Sequence, residues 1–450
     1  MLLRARGQAK CEGILGMKKF ALVTALLTGA VVPHAPVAAQ VSAQAPAPHP
    51  LTALFEAAGR GEVAPLARAI ADPATSAEMR TLLRARLAVG RFDSAPAGGP
   101  EIARLAQSPD PALRRAALTV LSTAAFVGGD YAAAARTGRE LVGALRAAGD
   151  EGVNGAERAM QVAALLADQP RQSVEGRTAG GSTAARIDAV GLPRLDVAIN
   201  GLAQEAIFDT GANLSVLSAD AARRLGVRLL EGTTPIGNSV QSTVPARIGI
   251  AERVEIAGTI LRNVVFLVID DSQLTFPLPT GRYEIDAIIG LPVMRALGRM
   301  RVEPGRFTVL PAEANAGPSN MRASSSSLYV DAAIDGQSVP LFLDTGANRT
   351  TLSALYAERN AARIAGLPVS EQRSAGAGGM QAQRIATWAN APLELGGRRV
   401  VLPNLQIVLP AERRERDSYG TIGASVLRAF RSYMLDFNAM RFELGEPAGG

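Results

Sequence analysis

An internal duplication constrains the fold of this chain more than any other feature of its sequence. The segment FDTGANLS at residues 208–215 returns almost unchanged as FLDTGANRT at residues 342–350. Each copy follows an apolar run that begins after a hairpin turn, Asn200-Gly201 in the first and Asp335-Gly336 in the second. Asn-Gly and Asp-Gly between apolar runs are strong signals of a β-hairpin. The repeated unit is therefore predicted to be a β structure that occurs twice.

Each copy also closes downstream with a short apolar segment and a glycine. These segments are Ile288-Ile289-Gly290 in the first copy and Thr421-Ile422-Gly423 in the second. The spacing between the two copies is the same at the motif and at the closing glycine to within a couple of residues. A single Asp-Thr-Gly occurs by chance too often to be evidence of a functional site. Two copies with matching downstream segments indicate a duplicated lobe.

The rest of the chain divides by its pattern of apolar residues. Alternating apolar and polar residues rich in Val and Ile predict short strands beyond residue 185, whereas leucines and alanines at helical spacing predict helices before residue 171. The predicted organisation is a leader with a signal peptide at 1–39, a linker at 40–50, a helical domain at 51–170, a linker at 171–185, a first β lobe at 186–312, a linker at 313–327 and a second β lobe at 328–446.

The helical domain leaves two interpretations open. The stretches ARLAVGRFDSA and AAFVGGDYAAA resemble tetratricopeptide-like helical hairpins, although their separation differs from the usual period of that repeat. One interpretation is a small bundle that only packs against the lobes. The other is a surface that binds a protein partner or the substrate.

The leader predicts export. A start at Met17 would place two lysines before an apolar run at residues 20–32, and the small residues Val37 and Ala39 precede a predicted cleavage point. A membrane anchor is the alternative, but the apolar run is short for a span. We therefore predict a periplasmic or secreted protein without a stable membrane span after removal of the signal.

Missing residue types exclude several kinds of catalytic site. The only cysteine, Cys11, and one of the two histidines, His34, lie in the leader, and the other, His49, lies in the following linker. A Cys-His pair, a Ser-His-Asp triad and a histidine-rich zinc site are therefore excluded from the mature chain. The net charge is +6, but the arginines are scattered and aromatic residues are only 4%, so we predict no nucleic-acid partner. We also predict no cofactor.

Carboxylates remain as the groups that can transfer protons. General acid and base catalysis by carboxylates alone needs one ionised group and one protonated group at the same pH. Two aspartates held about 3 Å apart meet this need because they share one proton and titrate as a unit. Asp209 and Asp344 are therefore the candidate catalytic pair. A metal site at these two carboxylates is a further alternative, but the sequence offers no additional ligands close to them.

The motif also identifies a family resemblance. Asp-Thr-Gly-Ala is followed in both copies by a hydroxyl residue and a leucine, Ser215 with Leu217 and Thr350 with Leu352. This pattern resembles that of the retropepsin-like aspartic proteases, which include the retroviral proteases and bacterial relatives. The resemblance implies a mainly β fold with two tandem lobes that form a pseudo-dimer in one chain, preceded here by the helical domain. It also implies an aspartic endopeptidase whose partner is a peptide or protein substrate.

The resemblance assigns further roles around the two aspartates. The threonines would brace the two loops against each other, and the glycines would let backbone N–H groups approach the carboxylates because no Cβ intervenes. The supporting residues are Thr210, Gly211, Ala212, Thr345, Gly346 and Ala347. A flap over the substrate would come from TPIGNSVQS, with Gly237, and from SAGAGGMQAQ, with Gly376, Gly378 and Gly379. Plain surface loops are the alternative for both segments.

Two questions of function stay open from the sequence. The leading prediction is an exported aspartic endopeptidase that uses Asp209 and Asp344. The alternative is a non-catalytic envelope protein whose lobes bind a ligand and whose helices recruit a partner. If the helical domain is instead a pro-region, the linker at 171–185 is a candidate site of self-cleavage.

Overall fold

The computed structural model describes residues 49–237, 243–278, 281–314, 317–324, 327–376, 379–410 and 418–449. The predicted leader at 1–39 and most of the linker at 40–50 lie outside these ranges. None of the helices within the described ranges is both long enough and apolar enough to cross a membrane.

The helical region has well-defined helix starts. Side chains cap four of its helices: His49 accepts a hydrogen bond from the backbone N–H of Leu51, Ser76 from that of Met79, Asp110 from that of Ala112 and Asp130 from that of Ala133. Such caps satisfy N–H groups that have no partner within the helix. The helices are α1 Pro50–Gly59, α2 Ala64–Ala71, α3 Ala77–Val89, α4 Pro100–Leu105, α5 Pro111–Val127, α6 Tyr131–Ala147 and α7 Val153–Leu166. The predicted helical region is therefore confirmed, whereas a tetratricopeptide-like arrangement stays a prediction.

The first lobe contains the first copy of the duplicated motif. Its strands are β1 Ser173–Arg177, β2 Ser182–Ile187, β3 Pro193–Ile199, β4 Leu202–Phe208, β5 Ser215–Ser218, β6 Arg228–Leu229, β7 Thr234–Gly237, β8 Thr243–Ile256, β9 Thr259–Ile269, β10 Thr275–Leu278, β11 Gly281–Glu284, β12 Ala287–Ile289, β13 Arg299–Glu303 and β14 Gly305–Leu310. Its helices are α8 Ala219–Arg224 and α9 Leu291–Leu297.

The second lobe contains the second copy of the motif and has fewer strands than the first lobe among the described residues. Its strands are β15 Met321–Ser324, β16 Ser327–Ile334, β17 Gln337–Leu343, β18 Thr351–Leu352, β19 Val369–Gly376, β20 Gly379–Leu395, β21 Arg398–Val408, β22 Gly420–Ile422, β23 Tyr433–Asp436 and β24 Arg441–Leu444. Its helices are α10 Ala354–Arg359, α11 Ala361–Ile364 and α12 Ala424–Leu427. The prediction of a mainly β fold with two tandem lobes is confirmed.

Strand pairing around the motif is the same in both lobes. In the first lobe β12 lies between β4, to which it is parallel, and β5, to which it is antiparallel. In the second lobe β22 lies in the same way between β17 and β18. The Asp-Thr-Gly loop of the first lobe therefore connects β4 to β5, and β12 lies between these two strands. The loop of the second lobe connects β17 to β18, with β22 between them.

The lobes also share a sheet. The order β24-β23-β13-β14-β2-β3 joins the last two strands of the second lobe to the first lobe through the antiparallel pairing of β23 with β13. One apolar core contains buried residues of both lobes, for example Phe208 and Phe307 with Leu341 and Phe442. The two lobes are therefore interlocked by backbone pairing and by side-chain packing.

Two predicted linkers contain strands. The segment at 171–185 contains β1, which pairs with β9, and the start of β2, which pairs with β14. The segment at 313–327 contains β15, which pairs with β16. These segments are rich in Gly, Ser and Ala and show no clean alternation of apolar residues. Their strands depend on backbone pairing to neighbouring strands, among which β9 and β14 are distant in the sequence, and the side-chain pattern does not reveal this pairing.

Candidate active site

The two aspartates begin equivalent loops. Asp209 follows the last residue of β4, and its N–H donates to the carbonyl of Ile289 at 3.1 Å; the N–H of Asp344 donates to the carbonyl of Ile422 at 3.0 Å. Phe208 is fully buried in the shared core. Because side chains alternate along a strand, a buried Phe208 directs Asp209 away from this core. The closing strands therefore fix where both aspartates leave the sheet.

The closing glycines hold the far side of each loop. The N–H of Gly290 donates to the Ser215 hydroxyl at 3.1 Å, and that of Gly423 donates to the Thr350 hydroxyl at 3.0 Å. A Cβ at Gly290 would lie 2.6 Å from the carbonyl oxygen of Ala212, so no larger residue fits there without a shift. The motif hydroxyls thus connect each loop to its closing segment.

The motif glycines bring the two carboxyl groups together. The N–H of Gly211 donates to Asp209 at 2.7 Å, and that of Gly346 donates to Asp344 at 2.9 Å. A Cβ added to Gly211 would lie 2.8 Å from the Cγ of Asp344, and one added to Gly346 would lie closer still to the Cγ of Asp209. Each glycine therefore faces the carboxyl group of the opposite lobe, and neither position requires a left-handed backbone. The requirement is for space.

The threonines connect the two loops. The N–H of Thr210 donates to the Thr345 hydroxyl and the N–H of Thr345 donates to the Thr210 hydroxyl, both at 3.0 Å. The Thr210 hydroxyl then donates to the carbonyl of Leu343 at 2.6 Å, and the Thr345 hydroxyl donates to that of Phe208 at 2.5 Å. Both side chains are completely buried. Four hydrogen bonds thus join the lobes directly beneath the aspartates.

The two carboxyl groups form a hydrogen-bonded pair. Burial raises the pKa of Asp209, while N–H donors of Gly211, Gly346 and Ala212 act in the opposite direction. Burial, together with the neighbouring charge of Asp209, raises the pKa of Asp344 well above its ordinary value. Two carboxyl groups this close therefore titrate as one unit rather than as two independent acids. Ala212 and Ala347 contribute through the backbone, since the N–H of Ala347 also donates to Asp344 at 2.9 Å.

The strands beside the aspartates differ between the lobes. Ile288 pairs across strands with Val216 in the first lobe, and Thr421 pairs in the same way with Thr351 in the second. Ile288 is also the partner of Ile207, which precedes Asp209 by two residues and therefore shares its face of the sheet. The strands beside Asp209 thus carry branched aliphatic residues, and the strands beside Asp344 carry hydroxyl residues at the same positions. The register that reveals this contrast cannot be read from the sequence alone.

Both segments proposed as flaps form β-hairpins. Strands β7 and β8 pair up to Gly237 and Thr243, and strands β19 and β20 pair up to Gly376 and Gly379. Residues 238–242 and 377–378, which include the predicted Gly378, lie outside the described residues. Coverage of a substrate by these hairpins stays a prediction.

Sequence reasoning missed a pair of arginines at equivalent positions after the two closing glycines. Arg295 and Arg428 each stand five residues after a closing glycine. Arg295 donates to the carbonyl of Val127 in the helical region, and Arg428 donates to that of Gly191, which precedes β3. The signal that could have found them is the repeat of arginine at this position in VMRAL and VLRAF.

Other kinds of site are less well supported. Within the described ranges, no group of three or more His, Cys, Asp or Glu side chains is arranged to hold a metal ion. The hydrogen-bonded carboxyl pair, with one proton between two acids, matches a general acid and general base for addition of water.

Comparison with known families agrees with this geometry. A family model described as aspartyl protease matches the chain twice, over residues 195–293 and 330–426. The first match contains Asp209 and the closing Gly290, and the second contains Asp344 and the closing Gly423. A search of curated proteins finds no match for the chain.

Proposed function

We propose that this chain, whose two lobes each match the aspartyl protease family model, is an exported endopeptidase that hydrolyses peptide bonds with the Asp209 and Asp344 pair. The observation that carries the proposal is the buried, hydrogen-bonded pair of carboxyl groups between the lobes, in which burial raises the pKa of both acids. Site formation needs both lobes, because each supplies a single acid.

The first step is addition of water to the peptide carbonyl. Ionised Asp209 takes a proton from water, and the water oxygen forms a bond to the carbonyl carbon. Protonated Asp344 gives its proton to the carbonyl oxygen, so a neutral tetrahedral diol forms. Asp209 is then protonated and Asp344 is ionised.

The second step breaks the carbon–nitrogen bond. Asp209 returns its proton to the amide nitrogen, which leaves as an amine, while Asp344 regains a proton from one hydroxyl of the diol. A carboxylic acid and an amine are released, and the pair returns to its starting protonation state. The threonine hydrogen bonds keep the two acids at a fixed separation during both steps.

The difference between the aliphatic residues beside Asp209 and the hydroxyl residues beside Asp344 suggests the substrate class. We call these two pairs of residues the aliphatic wall and the hydroxyl wall. The aliphatic wall of Ile288 and Val216 favours an apolar residue on one side of the cleaved bond. The wall of Thr421 and Thr351 offers hydroxyl groups and favours a small or polar residue on the other side. We therefore expect cleavage between unlike residues.

Export is a separate part of the proposal. Its support is the sequence of the leader, with a short basic segment, an apolar run and small residues before the predicted cut. Fractionation of cells that produce the full chain, with N-terminal sequencing of the mature protein, tests this part independently of activity. Protein that is found in the cytoplasm and still carries the apolar run at residues 20–32 would contradict export.

The catalytic proposal is tested with a peptide library. Asp209→Asn and Asp344→Asn should each abolish cleavage, whereas Asp220→Asn, a substitution at an exposed carboxylate paired with Arg223, should leave cleavage unchanged. Retained hydrolysis in either of the first two variants would refute the assignment of the pair. An intact wild-type protein that cleaves nothing from acidic to neutral pH and binds no pepstatin-type inhibitor would favour a binding protein instead.

A further inference from the structure

We propose that the helical region α1–α7 is a permanent component of the folded protein that holds the Asp209 loop in place, and is not a detachable pro-region. The first observation is an apolar cluster between helices α6 and α7 and the first lobe. Its residues from both sides are buried, and they are Tyr131, Ala134, Ala135, Val162, Ala163 and Leu166 from the helices, with Leu214, Leu230, Ile248, Ile250 and Val265 from the lobe. Burial of this kind is the main source of association between domains.

Leu214 connects this cluster to the active site. It lies in the loop between Asp209 and Ser215 and is only 5% exposed. It belongs to the same buried cluster as Leu166 of α7, which is completely buried. The cluster therefore joins the helices to the loop that presents one of the two acids. Removal of the helices would take away their side of the cluster that contains Leu214.

The second lobe supplies an internal comparison. Leu217 pairs with Val268 in the first lobe as Leu352 pairs with Ile407 in the second, which aligns the two lobes residue by residue. At the aligned positions, buried apolar residues of the first lobe are replaced by exposed residues in the second, which are polar or small. The aligned pairs are Leu214 and Arg349, Ile250 and Ala389, and Val265 and Asn404.

This difference follows from permanent coverage of one lobe. A face that is exposed for part of the protein's lifetime needs polar residues, because a large exposed apolar patch promotes aggregation. The second lobe has such a face. The first lobe has an aliphatic one, which is suited to a helical partner that does not leave.

Further contacts tie the helical region to both lobes. Arg295 of α9 lies 4.3 Å above the ring of Phe92 and donates to the end of α5. In the second lobe, the N–H of Ala323 donates to the carbonyl of Gly90 at 2.7 Å, and Arg86 donates to Ser324 at 2.7 Å. The helices thus bridge the two halves that supply the acids.

The connecting segment is also built into the first lobe. Strand β1 pairs with β9, and the side chain of Gln172 donates to the carbonyl of Pro292 at 3.0 Å. A cut at 171–185 would therefore sever a paired segment of the lobe. This location argues against release of the helices by cleavage there.

The test uses a variant whose chain is cut between the helical region and the first lobe while the protein stays folded. A recognition site for a sequence-specific protease is inserted after Asp168, which is exposed between α7 and β1. After cutting, we expect the two fragments to elute together in size-exclusion chromatography and to separate only in denaturant. A helical fragment that elutes alone, while the β fragment stays folded and soluble, would overturn the proposal.

A matched pair of variants tests the contact itself. In the cuttable chain, Leu166→Asp should release the helical fragment, whereas Ala164→Asp, at an exposed position on the same helix, should not. Should Leu166→Asp prevent folding of the whole chain, Leu166→Ala provides the milder variant, with dissociation expected at a lower denaturant concentration than for Ala164→Asp. Dissociation at the same concentration for both variants would contradict the proposal.

The kinetic consequence rests on the proposed peptidase function. Cutting should leave kcat unchanged because the helices stay bound, whereas an inhibitory pro-region would give a rise in activity as the helices leave. Such a rise, with the helices released, would overturn the inference. A wild-type chain without any peptidase activity would refute the proposed function, and the elution experiment would still decide whether the helices are permanent.

Discussion

The threonine hydrogen bonds between the loops allow a quantitative prediction. The perturbation is Thr345→Val, which keeps the shape of the side chain but removes its hydroxyl. Two buried backbone groups then lose a partner, the N–H of Thr210 and the carbonyl of Phe208. The matched control is Thr345→Ser, which keeps the hydroxyl and removes one methyl group.

The expected magnitudes separate the two variants. A buried polar group without its partner costs about 1–3 kcal/mol, and the carbonyl has a second lone pair, so we expect Thr345→Val to lower the free energy of unfolding by about 2–4 kcal/mol. Loss of one buried methyl group costs about 1 kcal/mol, which is the effect expected for Thr345→Ser. The hydroxyl is therefore predicted to contribute more than the methyl group.

The assay is equilibrium unfolding in urea, followed by far-UV circular dichroism with peptide cleavage measured in parallel. Thr345→Val should show the lower midpoint and the greater loss of kcat, because the loop that carries Asp344 loses two of its four hydrogen bonds to the loop of the first lobe. A Thr345→Val protein as stable as Thr345→Ser would refute the claim that these hydrogen bonds hold the loops together.

Three further predictions follow from the same site. Because the folded-state pKa of Asp344 is raised, the folded protein binds more protons than the unfolded one above about pH 4, the ordinary value for aspartate, so stability falls as pH rises through this window. Asp344→Asn should therefore melt at a higher temperature than wild type at neutral pH, and the difference should disappear below about pH 4; a difference independent of pH would contradict the raised pKa. Gly346→Ala should abolish peptide cleavage because its Cβ would meet the Asp209 carboxyl group. The control Gly143→Ala, in open space on a helix, should keep activity and stabilise the fold by up to about 1 kcal/mol in urea unfolding. Equal activity of the two variants would show that the space between Gly346 and Asp209 is not needed. Exchange of the two walls by Ile288→Thr with Thr421→Ile should reverse the preferred order of apolar and polar residues around the bond that is cut, as read by mass spectrometry of library products; an unchanged order would exclude these side chains as the source of preference.

The duplicated lobes and their acids were readable from the sequence for physical reasons. Strand alternation and hairpin turns have short periods, so they appear within a few residues of one another. The motif around Asp209 and Asp344 is also local, because glycine, threonine and the following hydroxyl act within one loop. Two local copies were enough to predict the paired architecture of the fold.

Features that depend on distant pairing were not readable. Strand β1 has mostly exposed side chains and exists because an edge of β9 was available to it. The roles of Arg295 and Arg428 depend on which carbonyl lies within reach after folding. The contrast between Ile288 and Thr421 was visible as letters, but its place beside the acids required the register of three strands.

The pairing of β23 with β13 has a consequence for how the protein acquires its structure. More than a hundred residues separate these neighbouring strands, so the edge of β13 stays open while the intervening lobe is being made. Contacts between such distant parts of a chain slow folding, since a long loop must close before they form. An open edge is also a template for pairing with another copy. During synthesis, before β23 is available, a chaperone that covers the edge of β13 would therefore prevent this pairing between copies.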